Sequence, residues 1–196
     1  MKSVNSYRMS GVCCGVAIAI AASGAGCIDD RESGDGEDHG ESVSAITFDP
    51  NANYEIVGVQ SGKCVGAVGA SKASNTPLEI RPCSGNATQR FHPTAVGGGF
   101  FQLTNELSGL CVDVSGLSLL DGAAVTQFTC NGGPNQQWSF TDLGAGAERL
   151  TVRHSGKVLD VTGAVAADGT VLEQWTSNGG ANQQFTLLAG VPAFAP

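Results

Sequence analysis

The sequence predicts an all-β domain built from three repeats of about 47 residues, and three observations support this. Two landmarks recur in three copies at a constant spacing of 47 residues, which indicates an internal repeat. Short apolar runs alternate with glycine-rich and Asn-Gly turns, a pattern typical of strands joined by hairpins. Glycine accounts for 28 of 196 residues and charged residues for only 14%, which excludes a coiled coil or a long-helix protein.

The first 26 residues have the layout of a signal peptide. Lys2 and Arg8 precede an uncharged run of small and apolar residues at 11–26, which is too short and glycine-rich for a membrane-spanning helix. The run ends in Gly24-Ala25-Gly26-Cys27 and resembles a bacterial lipobox, although that motif usually has Leu at the position of Gly24. We expect cleavage before Cys27 and lipidation of its thiol. Cleavage with release, and a retained hydrophobic anchor, are the alternatives.

An acidic segment at residues 27–52 follows the predicted signal peptide. Seven of the 18 acidic residues lie between Ile28 and Ser42 against a single Arg31, and apolar residues are almost absent there. Such a composition predicts a flexible, self-repelling tether. We therefore expect an exported protein of the cell envelope, held to a membrane through its lipid anchor, with a secreted protein as the alternative. The formal net charge of -8 argues against nucleic acid as a partner.

The predicted folded domain, residues 53–190, carries the two repeated landmarks. The first begins with Ser-Gly and places Cys64, Cys111 and Val158 at a spacing of 47 residues. The second is a glutamine two residues before an aromatic residue. It occurs as Gln89-Arg90-Phe91, Gln136-Gln137-Trp138 and Gln183-Gln184-Phe185. Two landmarks that keep one period without a gap indicate three copies of one structural unit.

Four cysteines lie in the folded domain and allow three disulfide pairings. Their spacing is 19 residues within each of the first two repeats, and an exported protein can form disulfides. We therefore predict the pairs Cys64–Cys83 and Cys111–Cys130. A zinc site would need short Cys-x2-Cys spacings, which are absent. The third repeat has Val158 and Ser177 at the equivalent positions, where we expect a hydrophobic contact in place of the bridge.

Three copies of about 47 residues that each end in Gln-x-Trp or Gln-x-Phe resemble the ricin B-type lectin family. The resemblance covers roughly residues 54–188. It implies a β-trefoil of twelve strands with pseudo-threefold symmetry. It also implies that Phe91, Trp138 and Phe185 pack in the shared core, while the glutamine of each motif braces a local turn.

The resemblance further implies shallow sugar pockets, one possible in each repeat. A carboxylate accepts hydrogen bonds from sugar hydroxyls, an aromatic ring covers the apolar face of the sugar, and an asparagine adds a polar contact. In repeat two these residues and the adjoining glutamine are Asp113, Phe128, Asn135 and Gln136. In repeat three they are Asp160, Trp175, Asn182 and Gln183, with Glu173 on the same strand as Trp175. Repeat one has Gly66, Arg81 and Thr88 instead, and we expect it to be structural, without a pocket.

These residues predict a carbohydrate-binding module for galactose-like or xylose-like saccharides or polysaccharides. The alternative is a sugar-blind β-trefoil that acts as a protein-interaction or inhibitory module, since a fold alone does not determine function. We expect no enzyme activity, because Asp113 and Asp160 belong to different repeats and cannot flank one glycosidic bond. No motif points to a metal or another cofactor.

Overall fold

The computed structural model describes residues 46–190, all in β-strands, short 3-10 turns and loops. The predicted signal peptide, Cys27 and most of the predicted tether lie outside these residues. The twelve strands, four in each repeat, are β1 (Tyr54–Gly58), β2 (Cys64–Ala67), β3 (Thr76–Arg81), β4 (Arg90–Gly97), β5 (Phe100–Asn105), β6 (Cys111–Val114), β7 (Ala123–Phe128), β8 (Gln137–Asp142), β9 (Glu148–Val152), β10 (Val158–Val161), β11 (Leu172–Trp175) and β12 (Phe185–Ala189). The predicted all-β class is confirmed.

The strands form a closed ring and a cap, both with threefold pseudosymmetry. The ring runs β1, β4, β5, β8, β9, β12 and back to β1, with every neighbouring pair antiparallel. The cap consists of the three hairpins β2–β3, β6–β7 and β10–β11. Strand β7 pairs with both β3 and β11, and a bridge between Glu79 and Val171 completes the triangle. This is the predicted β-trefoil.

The hydrophobic core repeats with the same period as the sequence. Five sets of buried apolar residues are each spaced by 47, namely 56/103/150, 65/112/159, 67/114/161, 78/125/172 and 91/138/185. The last set is Phe91, Trp138 and Phe185, which are 1%, 0% and 0% exposed. The predicted core role of the three motif aromatics is confirmed. Burial of such side chains contributes roughly 2 to 3 kcal/mol each, which makes this layer a principal source of stability.

The glutamine of each motif braces the turn before it, also as predicted. Gln136 accepts a hydrogen bond from the backbone N–H of Asn131 at 2.9 Å and donates to the carbonyl of Thr129 at 2.9 Å. The equivalent bonds form at Gln89 and at Gln183. Both predicted disulfides are present, Cys64–Cys83 in repeat one and Cys111–Cys130 in repeat two.

The third repeat differs from our expectation at the position of the missing disulfide. Val158 is buried, but Ser177 is exposed, so these two side chains do not form the expected hydrophobic contact. A polar network lies one residue earlier along the chain at each of these positions instead. Lys157 Nζ lies 2.6 Å from Asp121 Oδ1 and donates to Thr176 Oγ1 at 2.9 Å.

The end of the predicted tether belongs to the folded domain. Phe48 packs edge-on against Tyr54, Phe101 and Phe140, with ring centroids 5.0, 4.8 and 5.1 Å apart. Edge-to-face aromatic pairs of this kind are stabilising, so this part of the chain is not free tether. Between residues 46 and 190, no helix has the length and apolar character needed to cross a membrane.

Candidate functional site

Two aspartates lie at equivalent places in the cap, on strands β6 and β10. The Oδ2 atom of Asp113 accepts hydrogen bonds from the side-chain amides of Asn135 at 2.8 Å and Gln136 at 2.9 Å. In repeat three, Oδ2 of Asp160 accepts from Asn182 at 2.9 Å and Gln183 at 2.8 Å. Within the part of the chain that the structure describes, neither Oδ1 atom accepts a hydrogen bond. Each aspartate therefore retains one acceptor oxygen for a ligand.

Each aspartate lines a cavity with an aromatic wall. The repeat-two cavity has a volume of about 200 Å³ and is bounded by Asp113, Asn135 and Phe128. The repeat-three cavity has a volume of about 260 Å³ and is bounded by Asp160, Asn182 and Trp175. Phe128 is 37% exposed and Trp175 39% exposed, so each ring offers a face to solvent beside a carboxylate. In both repeats the predicted aspartate, asparagine and aromatic residue thus meet at a surface cavity.

The two predicted glutamines have a different place from the other site residues. Gln136 and Gln183 are 0% and 2% exposed and do not line the cavities. Each lies behind its aspartate and links that carboxylate to the braced turn. They position the acceptor group, because an amide with all its hydrogen bonds made holds the carboxylate in one orientation.

A short 3-10 turn forms one side of each cavity. These turns, Ser115–Leu117 and Thr162–Ala164, directly follow the aspartate strands. Gly116 and Gly163 lie in them with φ of 67° and 63°, the left-handed region where a side chain is strained. A glycine at this position lets the chain turn beside the pocket without that strain.

Each cavity also receives an asparagine that we did not predict as a site residue. Asn131 and Asn178 line the two cavities, and each side chain caps its own turn by accepting a hydrogen bond from a backbone N–H two residues later, at 2.8 Å. The recurring Asn-Gly-Gly sequence was the available signal. It predicted only a turn, because an asparagine that caps a turn and one that lines a pocket have the same sequence pattern.

A residue of the preceding repeat lies beside the residues of each cavity. Asn75 of repeat one lines the repeat-two cavity, and Gly122 of repeat two lies so close to the repeat-three pocket that a Cβ there would be 3.6 Å from Glu173. In the same way, a Cβ at Gly169 of repeat three would lie close to the side chains of Glu79 and Arg81 of repeat one. These three positions are 47 residues apart, and all have positive φ. Only the folded cap brings them to another repeat.

The electrostatics of the two pockets differ at one position. In repeat three, Glu173 lies directly opposite Asp160 across the β10–β11 ladder and lines the same cavity. In repeat two, Thr126 lies opposite Asp113. The Thr126 hydroxyl is buried and has no hydrogen-bond partner within residues 46–190. Repeat three therefore carries two carboxylates where repeat two carries one carboxylate and a hydroxyl.

Burial shifts the pKa of Asp113, Asp160 and Glu173 upward. It raises the pKa of Asp113 and of Asp160 above the usual range, and the hydrogen bonds donated by the neighbouring amides oppose this shift. The pKa of Glu173 is raised first by burial and then by the negative charge of Asp160. Protonation at low pH would remove an acceptor from each pocket.

Repeat one contains a cavity where we expected none. It has a volume of about 280 Å³, and the replacement residues Gly66, Arg81 and Thr88 all line it. A cavity is therefore present in repeat one as well, although it lacks the aspartate, aromatic residue and asparagine of the other two. The opposite strand supplies its carboxylate, Glu79, which we did not predict as a site residue. Within residues 46–190 there is no group of three His, Cys, Asp or Glu side chains placed to hold a metal ion.

Comparisons with solved structures show which proteins this chain is similar to. It is 38% identical to the designed threefold-symmetric protein ThreeFoil, with a TM-score of 0.68 over 69% of this chain and 97% of that one. It is 34% identical to the exo-beta-1,3-galactanase 1,3Gal43A from Clostridium thermocellum, with a TM-score of 0.70 over 73% of this chain. The match covers only 31% of the galactanase chain. The ricin B-like lectin of Macrolepiota procera, solved with lactose, shares the fold at 19% identity, with a TM-score of 0.63 over 72% of this chain and 98% of that one.

The family comparison agrees with the fold and with the repeated motifs. No curated protein matches the sequence. The model of the ricin-type beta-trefoil lectin domain matches residues 52–185, which is more than half of the chain and nearly all of the described domain. The chain therefore belongs to the ricin-type beta-trefoil lectin domain family.

Proposed function

We propose that this domain binds carbohydrate through the pockets of repeats two and three. One observation carries the proposal: the same carboxylate, asparagine and half-exposed aromatic residue meet at a cavity twice, in repeats related by pseudosymmetry. A carboxylate oxygen without a donor suits a sugar hydroxyl, and an exposed ring suits the C–H face of a pyranose. Galactose-like and xylose-like saccharides are the ligands we propose, in keeping with the family.

The two pockets are expected to work together on repeated saccharides. Each is shallow and open, so a single sugar would make few contacts and bind weakly. Two sites on one rigid domain raise the apparent affinity for a polysaccharide that reaches both, without any additional contact. Polymeric ligands are therefore the better probes.

We propose binding without catalysis. Asp113 and Asp160 line separate cavities. Asp160 and Glu173 do share a cavity, but they lie opposite each other on adjacent strands and form one wall. A glycosidase pair instead flanks the scissile bond.

A glycan array probed with the oxidised protein tests the proposed function. We expect binding to a defined set of saccharides that is competed by the free sugar. Asp113→Asn and Asp160→Asn keep the shape of each side chain but remove its charge, so each variant should lose about tenfold in affinity at its own pocket. The double variant should lose most of its binding to neutral saccharides on the array, because both pockets are weakened.

Two results would contradict the proposal. Retained binding of neutral saccharides in the folded double variant would refute the assignment of the pockets. Silence of the folded wild-type protein across the array would refute carbohydrate binding and favour a sugar-blind interaction module.

For localisation, we propose export to the cell envelope and lipid attachment at Cys27, with secretion as the alternative. The support is the lipobox-like sequence before Cys27 and the acidic segment after it. Stable attachment requires two or more acyl chains, which lipoprotein processing of such a cysteine supplies.

A further inference from the structure

The cavity of repeat one is larger than the two proposed sugar pockets and lies at the equivalent place. It lies between the 3-10 turn Val68–Ala70 and strand β3. The strand position that holds an aspartate in the other repeats is Gly66. A Cβ at Gly66 would come within 3.1 Å of Gln89 Cγ and of the Thr88 carbonyl oxygen, so the neighbouring turn has closed around the glycine. An aspartate would not fit here without movement of that turn.

Repeat one nevertheless keeps a carboxylate, which comes from the opposite strand. Glu79 is the direct partner of Gly66 in the β2–β3 ladder, at the position that Thr126 and Glu173 hold in the other repeats. The Glu79 side chain is 5% exposed and lines the cavity. Arg81 neutralises it, since Nε donates to Oε1 at 2.7 Å and Nη2 donates to Oε2 at 3.2 Å.

One edge of the Arg81 guanidinium is hydrogen-bonded, and another edge is free to bind a ligand. It occupies the position of Phe128 and Trp175, lines the cavity, and has a side chain that is 54% exposed. Glu79 takes the Nε–Nη2 edge of the guanidinium. The Nη1 atom donates to no acceptor within residues 46–190, so the Nη1–Nη2 edge is available. Two parallel N–H groups on this edge match the two oxygens of a carboxylate.

The charge of the lining residues distinguishes this cavity from the other two. The repeat-two cavity is lined by one charged residue, Asp113. The repeat-three cavity is lined by two, Asp160 and Glu173. A negatively charged ligand would be repelled by both. In repeat one the buried carboxylate is paired with Arg81, and the nearby Asp168 is paired with Lys63. An anion can enter this cavity without meeting an uncompensated negative charge.

We propose that repeat one is a third binding site, specific for acidic sugars such as uronic acid units. The ligand carboxylate binds the Nη1–Nη2 edge of Arg81, and a ring hydroxyl donates to a remaining lone pair of Glu79. A sugar is favoured over an acidic peptide because the cavity offers a carboxylate acceptor, which a sugar hydroxyl satisfies and which a second acidic side chain would repel. This site and ligand class differ from those of the proposed function.

The test uses the whole protein carrying Asp113→Asn and Asp160→Asn, which weaken the other two pockets. The probes are a methyl uronide, the methyl ester of the same uronide, and N-acetylaspartate. Binding is followed by NMR titration, with the Nε–Hε resonance of Arg81 as the local reporter. We expect the uronide to shift this resonance, to bind about tenfold or more tightly than its ester, and to weaken as salt is added.

Two further variants locate the effect at the guanidinium. Glu79→Gln combined with Arg81→Gln removes both charges together and should abolish uronide binding. Arg81→Lys keeps the positive charge beside Glu79 but not the two-pronged geometry, and should weaken binding about tenfold. If the double Gln variant does not fold, Arg81→Lys alone tests the role of the guanidinium.

The proposal is overturned if the uronide and its ester bind equally, or if uronide affinity is the same in Arg81→Lys as in the parent. Equal affinity for N-acetylaspartate would show a general carboxylate site and also refutes specificity for sugars. These outcomes do not depend on the pockets of repeats two and three. A failure of those two pockets to bind sugar would be seen with neutral sugars only.

Discussion

At the scale of residues, the pocket carboxylates combine a fixed position with an open acceptor. Asn135 and Gln136 hold one oxygen of Asp113, and Asn182 and Gln183 hold one oxygen of Asp160. Burial would favour the neutral form of each aspartate, and the donated hydrogen bonds favour the ionised form that a sugar hydroxyl requires.

Glu173 adds a second carboxylate to the repeat-three pocket at a cost in stability. Its pKa is raised in the folded protein by burial and by Asp160. A raised pKa in the folded state means that ionisation of Glu173 destabilises the protein. The free energy of unfolding therefore rises as the pH falls through the raised pKa toward the unfolded value.

We predict that Glu173→Gln increases stability at neutral pH by about 0.5 kcal/mol, because it removes one of two like charges that lie opposite each other across a ladder. This gain in stability should disappear at about pH 4, where the wild-type glutamate is protonated. Urea unfolding at both pH values measures this.

Thr126→Glu is the matched control, since it creates the same carboxylate pair in repeat two. It should destabilise the protein at neutral pH and have less effect in acid. A loss of stability in Glu173→Gln at neutral pH would show that Glu173 makes favourable contacts that outweigh its repulsion with Asp160.

At the scale of elements, the three cap hairpins are closed in two different ways. Disulfides close β2–β3 and β6–β7, each across 19 residues. The β10–β11 hairpin is instead tied to the preceding repeat, since Asp121 accepts hydrogen bonds from the backbone N–H and the hydroxyl of Thr176 and pairs with Lys157. This network can open reversibly, whereas a disulfide also constrains the unfolded chain.

We predict that the double substitution Cys111→Ala and Cys130→Ala lowers the free energy of unfolding by about 3 kcal/mol, the chain-entropy value for a loop of this length. Lys157→Met should cost less than about 1 kcal/mol, because its ion pair is partly exposed. Denaturant unfolding of the oxidised proteins compares the two. Equal losses would mean that the ionic network stabilises its hairpin as strongly as a disulfide.

At the scale of the whole molecule, the cap joins the repeats into a cycle. Asn75 lines the pocket of the following repeat, and Gly122 and Gly169 lie beside pocket residues of the repeats that follow them, with the last returning to the first. An isolated repeat would therefore lose these neighbours and expose a core face. Pseudo-threefold symmetry also directs the three cavities to different sides of the domain, which suits ligands that are long or displayed in arrays.

We predict that Cys27→Ser releases most of the protein from the membrane fraction, because the thiol that would carry the acyl chain is lost. Membrane sedimentation followed by immunoblotting measures this. Cys13→Ser, within the predicted signal peptide, is the control and should leave the distribution unchanged. Continued sedimentation of Cys27→Ser with membranes would contradict lipid attachment at this residue.

The sequence by itself determined that the domain has three repeats, because both landmarks recur at a spacing of 47 residues. The equal cysteine spacings in repeats one and two likewise predicted the two disulfides. The β-trefoil, the core aromatics and the aspartate, asparagine and aromatic residues of repeats two and three followed from the resemblance of these repeats to the ricin B-type lectin family. Repetition is visible along the chain, so recognising it needed no knowledge of contacts.

Only the tertiary structure decided the features that break the repetition. Glu79 replaces the missing carboxylate of repeat one from across the ladder, Phe48 joins the folded domain, and Lys157 with Asp121 takes the place of a disulfide. Each depends on strand register or on contact between distant parts of the chain. Such contacts form only when the ring and the cap close, and no spacing in the sequence encodes them.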